Sequence, residues 1–368
     1  MMIKKPSLII NQEIAKENIR KMISLTKQWD MDFRPHFKTH QSAKIANWFK
    51  AEGVNKCAVS SLSMASYFAA NGWTDISVAI PVNLLEIEDV RRLSKLVKLY
   101  ICVDHQDSCE FLSKNIQESL NVFIEIDTTY ARSGINYLHT KKTDHLLKIL
   151  EAAPSLQFTG FLSHSGQTYQ AKTGKEIAPI FEETRQQMMI LKEKYLENHP
   201  QMIISMGDTP ASTFANDFRG IDEWRPGNFI FYDLMQYTQG ICKQEEIALI
   251  VRCPVIGIYL ERKELVIYGG GIHLSKESTY YQGSEIFGWL KNMEESIGVG
   301  QEEYLNGFPV ISLSQEHGII AASEEFLSQI KIGDLVDIIP VHSCMTADLY
   351  AAYLSENGQL IKKFRSNS

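Results

Sequence analysis

Short runs of apolar and β-branched residues alternate with longer stretches of helical period through the first two thirds of the 368-residue chain. This alternation is typical of β-α units, whose strands run parallel. Eight runs are predicted to be strands, at residues 33–38, 57–61, 75–80, 99–104, 122–127, 158–164, 203–208 and 224–229. Stretches with apolar residues three or four apart lie between them and are predicted to be helices, at 42–52, 84–95, 143–152 and 177–196.

Eight strand and helix units of similar length predict a closed barrel. An open doubly wound sheet is the alternative, but no Gly-x-Gly-x-x-Gly pattern follows the first strand. After about residue 241 the pattern changes to short alternating runs separated by turns, with one helical stretch near 285–293. We therefore expect an α/β protein with an N-terminal (β/α)8 TIM-like barrel over residues 1–241 and a mainly β domain over residues 242–368. The first residues, up to about residue 10, are candidates to join the β domain.

Charge and hydropathy exclude several classes of protein. The net charge is −7 and the Lys and Arg residues are scattered, which argues against a nucleic-acid partner. The apolar stretch near the N-terminus is too short for a signal peptide and no uncharged run approaches membrane-spanning length, so we expect no membrane association and a cytoplasmic location. The six cysteines form no Cys-x-x-Cys pair, and reduced thiols are expected.

One lysine, Lys38, stands at the predicted end of the first strand, within the stretch RPHFKTH at residues 34–40. A lysine amine attacks an aldehyde only when it is neutral, and nearby cations or burial lower its pKa enough for that. Arg34, His36 and His40 are the cations nearest in sequence. Lys38 is therefore a candidate for a Schiff base, although this stretch alone favours a solvated lysine in a turn.

Polar residues concentrate where the predicted strands end. In a closed barrel of parallel strands, the active site lies at the carboxyl ends of the strands. The residues at these ends are Lys38, Ser60, Ser61, Asp104, Asp127, His164, Gly207 and Asp208. The interiors of the same strands are apolar, so the polar ends are predicted to form the functional site.

Small and hydroxyl residues follow the seventh strand, in the stretch GDTPAS at residues 207–212. This composition at a helix start is how backbone N–H groups hold a phosphate, although a plain cap by Asp208 or Thr209 explains it too. Further on, Gly227 permits close backbone approach and Arg225 could hold an anion or a ring nitrogen. A lysine, an arginine after the fifth strand and this anion site together suit pyridoxal phosphate.

Four segments in order resemble motifs of the D-threonine aldolase and D-serine dehydratase family, namely RPHFKTH at 34–40, GDTP at 207–210, RPGNF at 225–229 and HSC at 342–344. That family shares the alanine-racemase-type pyridoxal phosphate barrel, and the resemblance extends from about residue 6 to about residue 365. It implies a (β/α)8 barrel followed by a β domain, a homodimer, and Lys38 as the lysine that forms the Schiff base with pyridoxal 5'-phosphate.

The resemblance also implies roles for other residues. Arg132 is similar to the arginine beside the phenolic oxygen of the cofactor, although from the residues alone it could pair with Asp127 on the surface. His164 is implied to pack against the ring or act as a base, and a structural histidine is the alternative. The implied cofactor-binding residues are Lys38, Arg132, Gln167, Tyr169, Gly207, Asp208, Thr209, Arg225, Gly227 and Asn228.

The stretch HSC at residues 342–344 suggests a metal site. In an extended segment residues i and i+2 point the same way, so His342 and Cys344 could present a nitrogen and a sulfur to an ion. A buried histidine with an inert cysteine is the alternative. The resemblance implies a metal here, with His-x-Cys typical of the dehydratases and His-x-Asp typical of the aldolases. A thiolate favours Zn²⁺, while Mn²⁺ and Mg²⁺ are further possibilities.

The resemblance implies a lyase that acts on a β-hydroxy D-amino acid, with D-serine and D-threonine as the simplest substrates. We expect metal-assisted loss of water to a 2-oxo acid and ammonia, with Lys38 removing the Cα proton. Retro-aldol cleavage to glycine and an aldehyde is the first alternative, and a racemase or a pyridoxal phosphate homeostasis protein is the next. Phe229 stands where tyrosine is common and Asp208 where serine is common, which leaves the substrate side chain open.

Overall fold

The computed structural model describes residues 3–171, 173–291 and 307–365. The strands are β1 (Ser7–Ile10), β2 (Asp32–Phe33), β3 (Cys57–Val59), β4 (Asp75–Pro81), β5 (Lys98–Val103), β6 (Leu120–Asp127), β7 (Ile135–Asn136), β8 (Leu156–Leu162), β9 (Ile203–Met206), β10 (Glu223–Trp224), β11 (Leu249–Tyr259), β12 (Glu264–Tyr268), β13 (Thr279–Tyr281), β14 (Ser284–Ile286), β15 (Gly288–Lys291), β16 (Gly307–Leu313), β17 (His317–Ala321), β18 (Leu335–Pro340), β19 (Ala352–Ser355) and β20 (Leu360–Lys362).

The helices are α1 (Gln12–Gln28), α2 (Ala43–Ala51), α3 (Leu62–Ala70), α4 (Ile87–Ser94), α5 (Gln106–Asn115), α6 (Thr140–Glu151), α7 (Gly174–Tyr195), α8 (Thr209–Phe214), α9 (Leu234–Thr238), α10 (Gly271–Leu274), α11 (Glu324–Gln329) and α12 (Ser343–Asp348). Single 3-10 turns occur at Leu84–Glu86, Gly166–Gln170, Asn228–Ile230, Gln244–Glu246 and Leu260–Arg262. Among the helices of the described residues, none combines the length and the apolar character needed to cross a bilayer.

The chain divides into two compact units. The barrel unit comprises Arg20–Gly227 and Phe364–Ser368, and the β unit comprises Met1–Ile19 and Asn228–Lys363. This division falls earlier than the boundary near residue 241 that we expected, because the chain after Gly227 bonds within the β unit. The backbone amide of Met235, for example, donates to the carbonyl of Val341 at 3.1 Å.

The barrel unit contains eight parallel strands in the order β2-β10-β9-β8-β6-β5-β4-β3. The ring is closed by a parallel bridge between His36, just after β2, and Ala58 of β3. There the amide of Phe37 donates to the carbonyl of Ala58 at 2.8 Å, and the amide of Ala58 donates to the carbonyl of Pro35 at 3.0 Å. The predicted barrel fold is therefore confirmed.

The first and last barrel strands are shorter than the residue pattern predicted. The first ends at Phe33 rather than at residue 38, and the last ends at Trp224 rather than at residue 229. A proline follows within two residues in each case, Pro35 and Pro226, and proline has no N–H with which to continue a ladder. Lys38 and Arg225 consequently lie in the connections beyond the strands.

Helices cover the barrel strands with their apolar faces. In α7, the buried residues Ile177, Phe181, Met188 and Leu191 recur at helical spacing. Burying one such side chain stabilises the fold by roughly 1.5–3 kcal/mol. This helix confirms the apolar pattern that predicted a helix over residues 177–196.

The β unit is built on a nine-stranded sheet in the order β12-β17-β16-β15-β18-β11-β1-β19-β20, and an additional pairing of β12 with β11 joins six of these strands into a ring. The pairings are antiparallel except that of β1 with β19. The long strand β11 alternates buried and less buried residues, with Leu249, Val251, Cys253 and Val255 pointing inward. The predicted mainly β C-terminal region is therefore confirmed.

The helix that we expected near residues 285–293 is wrong over residues 285–291, and residues 292–293 lie outside the described residues. This part of the chain forms β14 and β15 instead. Ile286, Trp289 and Leu290 are buried, but their spacing fits either period, so pairing with a neighbouring strand decides the outcome. In that pairing Leu290 lies opposite Ile338 of β18.

Candidate active site

The carboxyl ends of the barrel strands carry most of the candidate residues. Lys38 follows β2, Arg132 follows β6, His164 follows β8, Gly207 follows β9 and Arg225 follows β10. The strands are parallel, so these five connections emerge on one side of the barrel. The structure therefore brings these residues to the side where the sequence predicted a site.

Lys38 lies in a turn at residues 37–40, between β2 and α2, and its side chain is exposed. Its amide donates to Nδ1 of His36 at 3.3 Å, and its carbonyl accepts from Nε2 of Gln41 at 3.1 Å. The preceding residue, Phe37, is fully buried and packs edge-on against Trp73 with ring centroids 4.8 Å apart. Lys38 is thus presented to solvent by a turn that is anchored on both sides.

His36 is neutral at pH 7. Burial lowers its pKa well below the ordinary histidine value, and the positive charges of Lys38 and Arg225 lower it further. His36 therefore does not act as the cation that we expected beside Lys38.

His164 is also neutral, for similar reasons. Burial lowers its pKa to about 3, and the charges of Lys38 and Arg132 add to that effect, while a hydrogen bond to the carbonyl of Gly207 opposes it. The bond joins Nδ1 of His164 to the Gly207 oxygen at 3.0 Å. Because a carbonyl only accepts, Nδ1 carries the hydrogen, and Nε2 carries none.

Arg132 lies in an exposed loop after β6. Its guanidinium stands over the ring of Tyr130, 5.4 Å from the centroid. Asp127 accepts the backbone amide of Ala131 at 2.9 Å, and the ion pairs found among the described residues do not include one between Arg132 and Asp127. Thr129 and Ala131 adopt left-handed conformations with φ of 71° and 59°, so the loop is held in a strained path.

Two further carboxylates hold the same loop. Glu125 accepts a hydrogen bond from the hydroxyl of Ser133 at 2.8 Å, and Asp104 accepts the amide of Gly134 at 3.0 Å. Burial raises the pKa of Glu125, whose Oε2 has no hydrogen-bond partner among the described residues. The residue pattern did not single out Glu125 or Ser133, although a glutamate within an apolar strand was a signal that could have found the first.

Gln167 and Tyr169 lie in the 3-10 turn after β8. The amide nitrogen of Gln167 donates to the carbonyl of Thr128 at 2.7 Å, while its Oε1 is buried and has no partner within the described part of the chain. The hydroxyl of Tyr169 accepts the amide of Thr209 at 3.2 Å. Both side chains therefore tie this turn to neighbouring strand ends.

Asp208 is the N-cap of α8. Its Oδ1 accepts the amide of Ala211 at 2.7 Å and the hydroxyl of Thr168 at 3.0 Å. Burial raises the pKa of this carboxyl to about 7 against those two bonds, and its Oδ2 has no partner among the residues that the structure describes. The cap that we weighed as an alternative is therefore present.

Neighbouring segments of the chain come close to the backbone at Gly207 and Gly227. A Cβ on Gly207 would lie 2.4 Å from the backbone nitrogen of Arg225. A Cβ on Gly227 would lie 3.0 Å from the hydroxyl of Thr39 and 3.1 Å from the carbonyl of His36. Glycine at both positions keeps the chain ends of β9 and β10 in contact with their neighbours.

Arg225 is buried and hydrogen-bonded within the barrel. Its Nε donates to Oγ of Ser205 at 2.6 Å, and one Nη donates to the carbonyl of Ser163 at 2.7 Å. Burial lowers its pKa, although the nearby charge of Glu223 opposes the effect. The guanidinium is therefore fixed by neighbours on β9 and at the end of β8.

A buried ion-pair network continues from this arginine and was missed by the residue pattern. Oγ of Ser205 donates to Glu223 at 2.6 Å, and Glu223 accepts from Nε of Arg34 at 2.6 Å. Arg34 also pairs with Asp75 at 2.5 Å. The charge of Arg34, which we expected to act on Lys38, is thus compensated by two carboxylates, and the cations acting on the two neutral histidines include Arg132 and Arg225.

His342 and Cys344 lie in the β unit, where the expected extended segment is wrong. His342 is the N-cap of α12, and Ser343 begins the helix. The amide of Ser343 donates to a carboxylate oxygen of Asp233 at 3.0 Å, which supports the turn into the helix. The imidazole and the thiol still meet, because the side chains of His342 and Cys344 share a hydrogen bond.

Glu277 also contacts the imidazole of His342. Its Oε2 is 2.5 Å from Nδ1 of His342. Burial lowers the pKa of His342, but the hydrogen bonds with Cys344 and Glu277 outweigh it and raise the pKa to about 11. The carboxylate stands 65 residues before the histidine, and the residue pattern did not single it out.

Asn228 belongs to the β unit, and both polar atoms of its side chain are used there. Its Nδ2 donates to Asp233 at 2.6 Å, and its Oδ1 accepts from the hydroxyl of Ser343 at 2.5 Å. These bonds hold the start of α12. The structure therefore gives the Asn228 side chain a place beside the His342 turn, in the β unit rather than in the barrel unit.

The donors near His342 suit a metal ion only in part. Over the described ranges, no three His, Cys, Asp or Glu side chains form a group that could hold an ion. The pair of His342 and Cys344 offers one nitrogen and one sulfur, which is a donor set for a borderline or soft ion such as Zn²⁺. An ion here would keep other coordination positions open.

Comparison with known proteins identifies the class. Residues 10–234 match the model described as "Alanine racemase, N-terminal domain", and residues 248–355 match the "Putative serine dehydratase domain". The first match covers more than half of the chain, so the chain belongs to the alanine racemase N-terminal domain family. The family resemblance that the motifs predicted is confirmed.

Individual relatives narrow this class. The D-serine dehydratase of Dictyostelium discoideum is 28% identical over 98% of this chain and 96% of its own. The 3-hydroxy-D-aspartate aldolase of Paracoccus denitrificans (strain Pd 1222) is 28% identical over 97% of this chain and 90% of its own. The solved structure of D-threo-3-hydroxyaspartate dehydratase from Delftia sp. HT23 has a TM-score of 0.90 at 25% identity, covering 99% of this chain and 98% of that one, and a mutant of the same enzyme is described in a metal-free form.

Proposed function

We propose that this chain is a pyridoxal-phosphate-dependent lyase that removes water from a β-hydroxy D-amino acid and yields a 2-oxo acid and ammonia. The relatives named as dehydratases support the reaction class. The observation that carries the proposal is the gathering of Lys38, two arginines and two neutral histidines where the parallel strands end. Lys38, Arg132, Arg225, His36 and His164 are these residues.

The residues present fit pyridoxal phosphate. Gly207 and Thr209 lie at the start of α8, and backbone N–H groups at such a turn suit a phosphate. The orphaned Oε1 of Gln167 is a buried acceptor that suits a hydrogen-bond donor on a bound ligand. When bound, the cofactor supplies an electron sink for the negative charge left at Cα of the amino acid.

Lys38 is the residue that we assign to the Cα proton. Its amine accepts a proton only when it is neutral. The amine is exposed on an anchored turn, so it can reach a substrate without a change in the backbone. His164 offers a neutral Nε2 as a second site that can take up or return a proton.

The β unit supplies the second part of the proposal. His342 and Cys344 are assigned to a divalent ion, with Zn²⁺ favoured by the thiolate and Mn²⁺ or Mg²⁺ as further candidates. When bound, such an ion would supply Lewis acidity for the loss of a hydroxyl group. Support comes from the donor pair itself and from the relative described in a metal-free form.

Carbon–carbon cleavage is the second candidate function, because one relative of similar identity is named as a 3-hydroxy-D-aspartate aldolase. It requires a base that removes the proton of the β-hydroxyl, a role that the neutral Nε2 of His164 could fill. Cys344 favours dehydration, since the aldolases that this chain resembles typically carry an aspartate at that position.

One assay separates these reactions. Purified protein loaded with pyridoxal phosphate and Zn²⁺ is incubated with D-serine, D-threonine and D-threo-3-hydroxyaspartate, each with its L-isomer as a control. A 2-oxo acid with stoichiometric ammonia supports the proposal, and glycine with an aldehyde replaces it with the aldolase reaction. Formation of only the opposite enantiomer contradicts both. Light scattering on the same sample tests the homodimer that the family resemblance implies.

A further inference from the structure

We propose that Glu277 is the positioning residue of the His342 and Cys344 site. In this role it binds Nδ1 of His342 and leaves Nε2 as the only imidazole nitrogen available to an ion. The inference rests on the proposed metal role of His342 and Cys344 and extends it to a residue that no motif singled out.

The contact between Glu277 and His342 assigns the two ring nitrogens. Oε2 of Glu277 lies 2.5 Å from Nδ1 of His342, and a carboxylate oxygen at this distance accepts the Nδ1 hydrogen. Each imidazole nitrogen binds either a hydrogen or a metal ion, so Nδ1 is taken and Nε2 is the ligand. The side chains are 26% and 38% exposed, so the contact is partly shielded from solvent.

Glu277 has a fixed place because its neighbours in the chain are tied down. Its own amide donates to the hydroxyl of Ser275 at 3.4 Å. The next residue, Ser278, donates to Glu285 at 2.6 Å across the hairpin of β13 and β14. Glu277 therefore stands at the base of the hairpin, two residues before β13, and its backbone is held next to Ser275.

The turn that carries the two donors is held by a separate set of bonds. Ser343 is bound through its amide to Asp233 and through its hydroxyl to Asn228. The hydroxyl of Thr346 donates to the carbonyl of Leu274 at 2.8 Å, which links α12 to the end of α10. Because Leu274 is only three residues before Glu277, the donors and their positioning carboxylate are carried by the same pair of linked segments.

This arrangement has two physical effects on an ion at Nε2. The hydrogen bond orients the ring, and the negative charge of Glu277 increases the basicity of the ligating nitrogen. Removing such a partner typically costs about 10-fold to 100-fold in metal affinity. A glutamine in its place can still accept the Nδ1 hydrogen but lacks the charge, so it separates orientation from basicity.

Co²⁺ is the probe that tests the inference on the full chain loaded with pyridoxal phosphate. Its thiolate absorption reports an ion on Cys344, and competition with a chelator gives the dissociation constant. We expect Glu277→Ala to weaken Co²⁺ binding by about 10-fold to 100-fold and Glu277→Gln to weaken it less. Glu325→Gln removes one charge from an exposed position at the start of α11 in the same unit, and it should bind Co²⁺ as the wild type does.

The outcomes distinguish this inference from the proposed function. Equal Co²⁺ affinity in the wild type and in both Glu277 variants overturns the positioning role and leaves the metal site intact. An equal loss in Glu325→Gln also overturns it, because the charge of the β unit alone would then explain the effect. Absence of a thiolate absorption in the wild type, with Cys344→Ala unchanged from it, overturns both the metal site and the role of Glu277.

Discussion

Two histidines in the two units of this chain show opposite behaviour. His164 in the barrel unit is surrounded by the cations of Lys38 and Arg132, and its pKa falls to about 3. His342 in the β unit is bonded to Glu277 and to a thiol, and its pKa rises to about 11. Burial lowers the pKa of both, so the sign of the neighbouring charges decides the difference.

The two sites also differ in how they are built. The barrel site collects single residues from five strand ends, and long-range strand pairing fixes their positions. The site in the β unit is one helix start and one hairpin base, held by local hydrogen bonds. We therefore predict that loss of the cofactor disables the barrel site and leaves the site in the β unit intact. Loss of the ion should disable the site in the β unit and leave the barrel site intact.

Lys38→Ala should have the largest effect, and it tests directly whether the barrel site holds the cofactor. Loss of the amine removes the covalent attachment of the cofactor and the Cα base together. We expect turnover to fall by at least about 10³-fold, with loss of the visible absorption of the bound cofactor. Lys44→Ala, on α2 nearby, is the control. Unchanged absorption in Lys38→Ala would remove the barrel unit from the cofactor assignment.

Arg34→Met tests whether the ion-pair network stabilises the barrel unit. The change leaves Glu223 buried without its partner, which typically costs about 3–5 kcal/mol. Urea unfolding followed by circular dichroism measures the loss. Arg20→Met breaks an exposed ion pair with Glu52 in the same unit and should change stability by less than about 1 kcal/mol. Similar losses of unfolding free energy in the two variants would show that the buried network contributes no more to stability than the exposed ion pair.

Cys344→Ala tests whether the site in the β unit can be lost while the barrel site is kept. Removing the thiolate removes one of two donors, and we expect dehydration to slow by about 10²-fold while the cofactor absorption stays as in the wild type. Chelation of the wild-type enzyme should produce the same loss. If Cys344→Ala lost the cofactor absorption as well, the two sites could not be treated as separate.

Asp208→Asn concerns the pH dependence of stability in the cofactor-free protein and not turnover. The pKa of Asp208 is raised to about 7, above its unfolded value, so its contribution is complete below about pH 4 and is lost as the pH rises through 7. This corresponds to about 1.4 kcal/mol per pH unit across that window. Asparagine keeps the cap and removes the slope, whereas Asp107→Asn, at an exposed aspartate, should keep it. Parallel curves for wild type and Asp208→Asn would contradict the assignment.

The barrel and the positions of most of its candidate residues could be predicted from the sequence because the relevant signals are local. Apolar periodicity marks strands and helices, His164 and Gly207 stand just beyond the ends of β8 and β9, and Lys38 lies in the connection after β2. The ends of β2 and β10 were misplaced because an apolar residue recurs beyond the proline that ends each ladder, Phe37 after Pro35 and Phe229 after Pro226.

Other parts of the sites had no local signature. Arg34 and Glu223 are 189 residues apart, and Glu277 and His342 are 65 residues apart, so only the folded chain shows that they pair. The start of α12 at Ser343 was read as extended because it directly follows an apolar strand, while the bonds that turn it into a helix come from Asp233 and Asn228.

The placement of β1 affects how the protein can be dissected. This strand precedes the barrel strands in chain order, yet it pairs with β11 and with β19, which follow them. A fragment truncated at residue 241 would retain β1 with neither partner, and such an orphaned apolar edge promotes aggregation. A soluble barrel fragment should therefore begin after residue 19 and stop at residue 227.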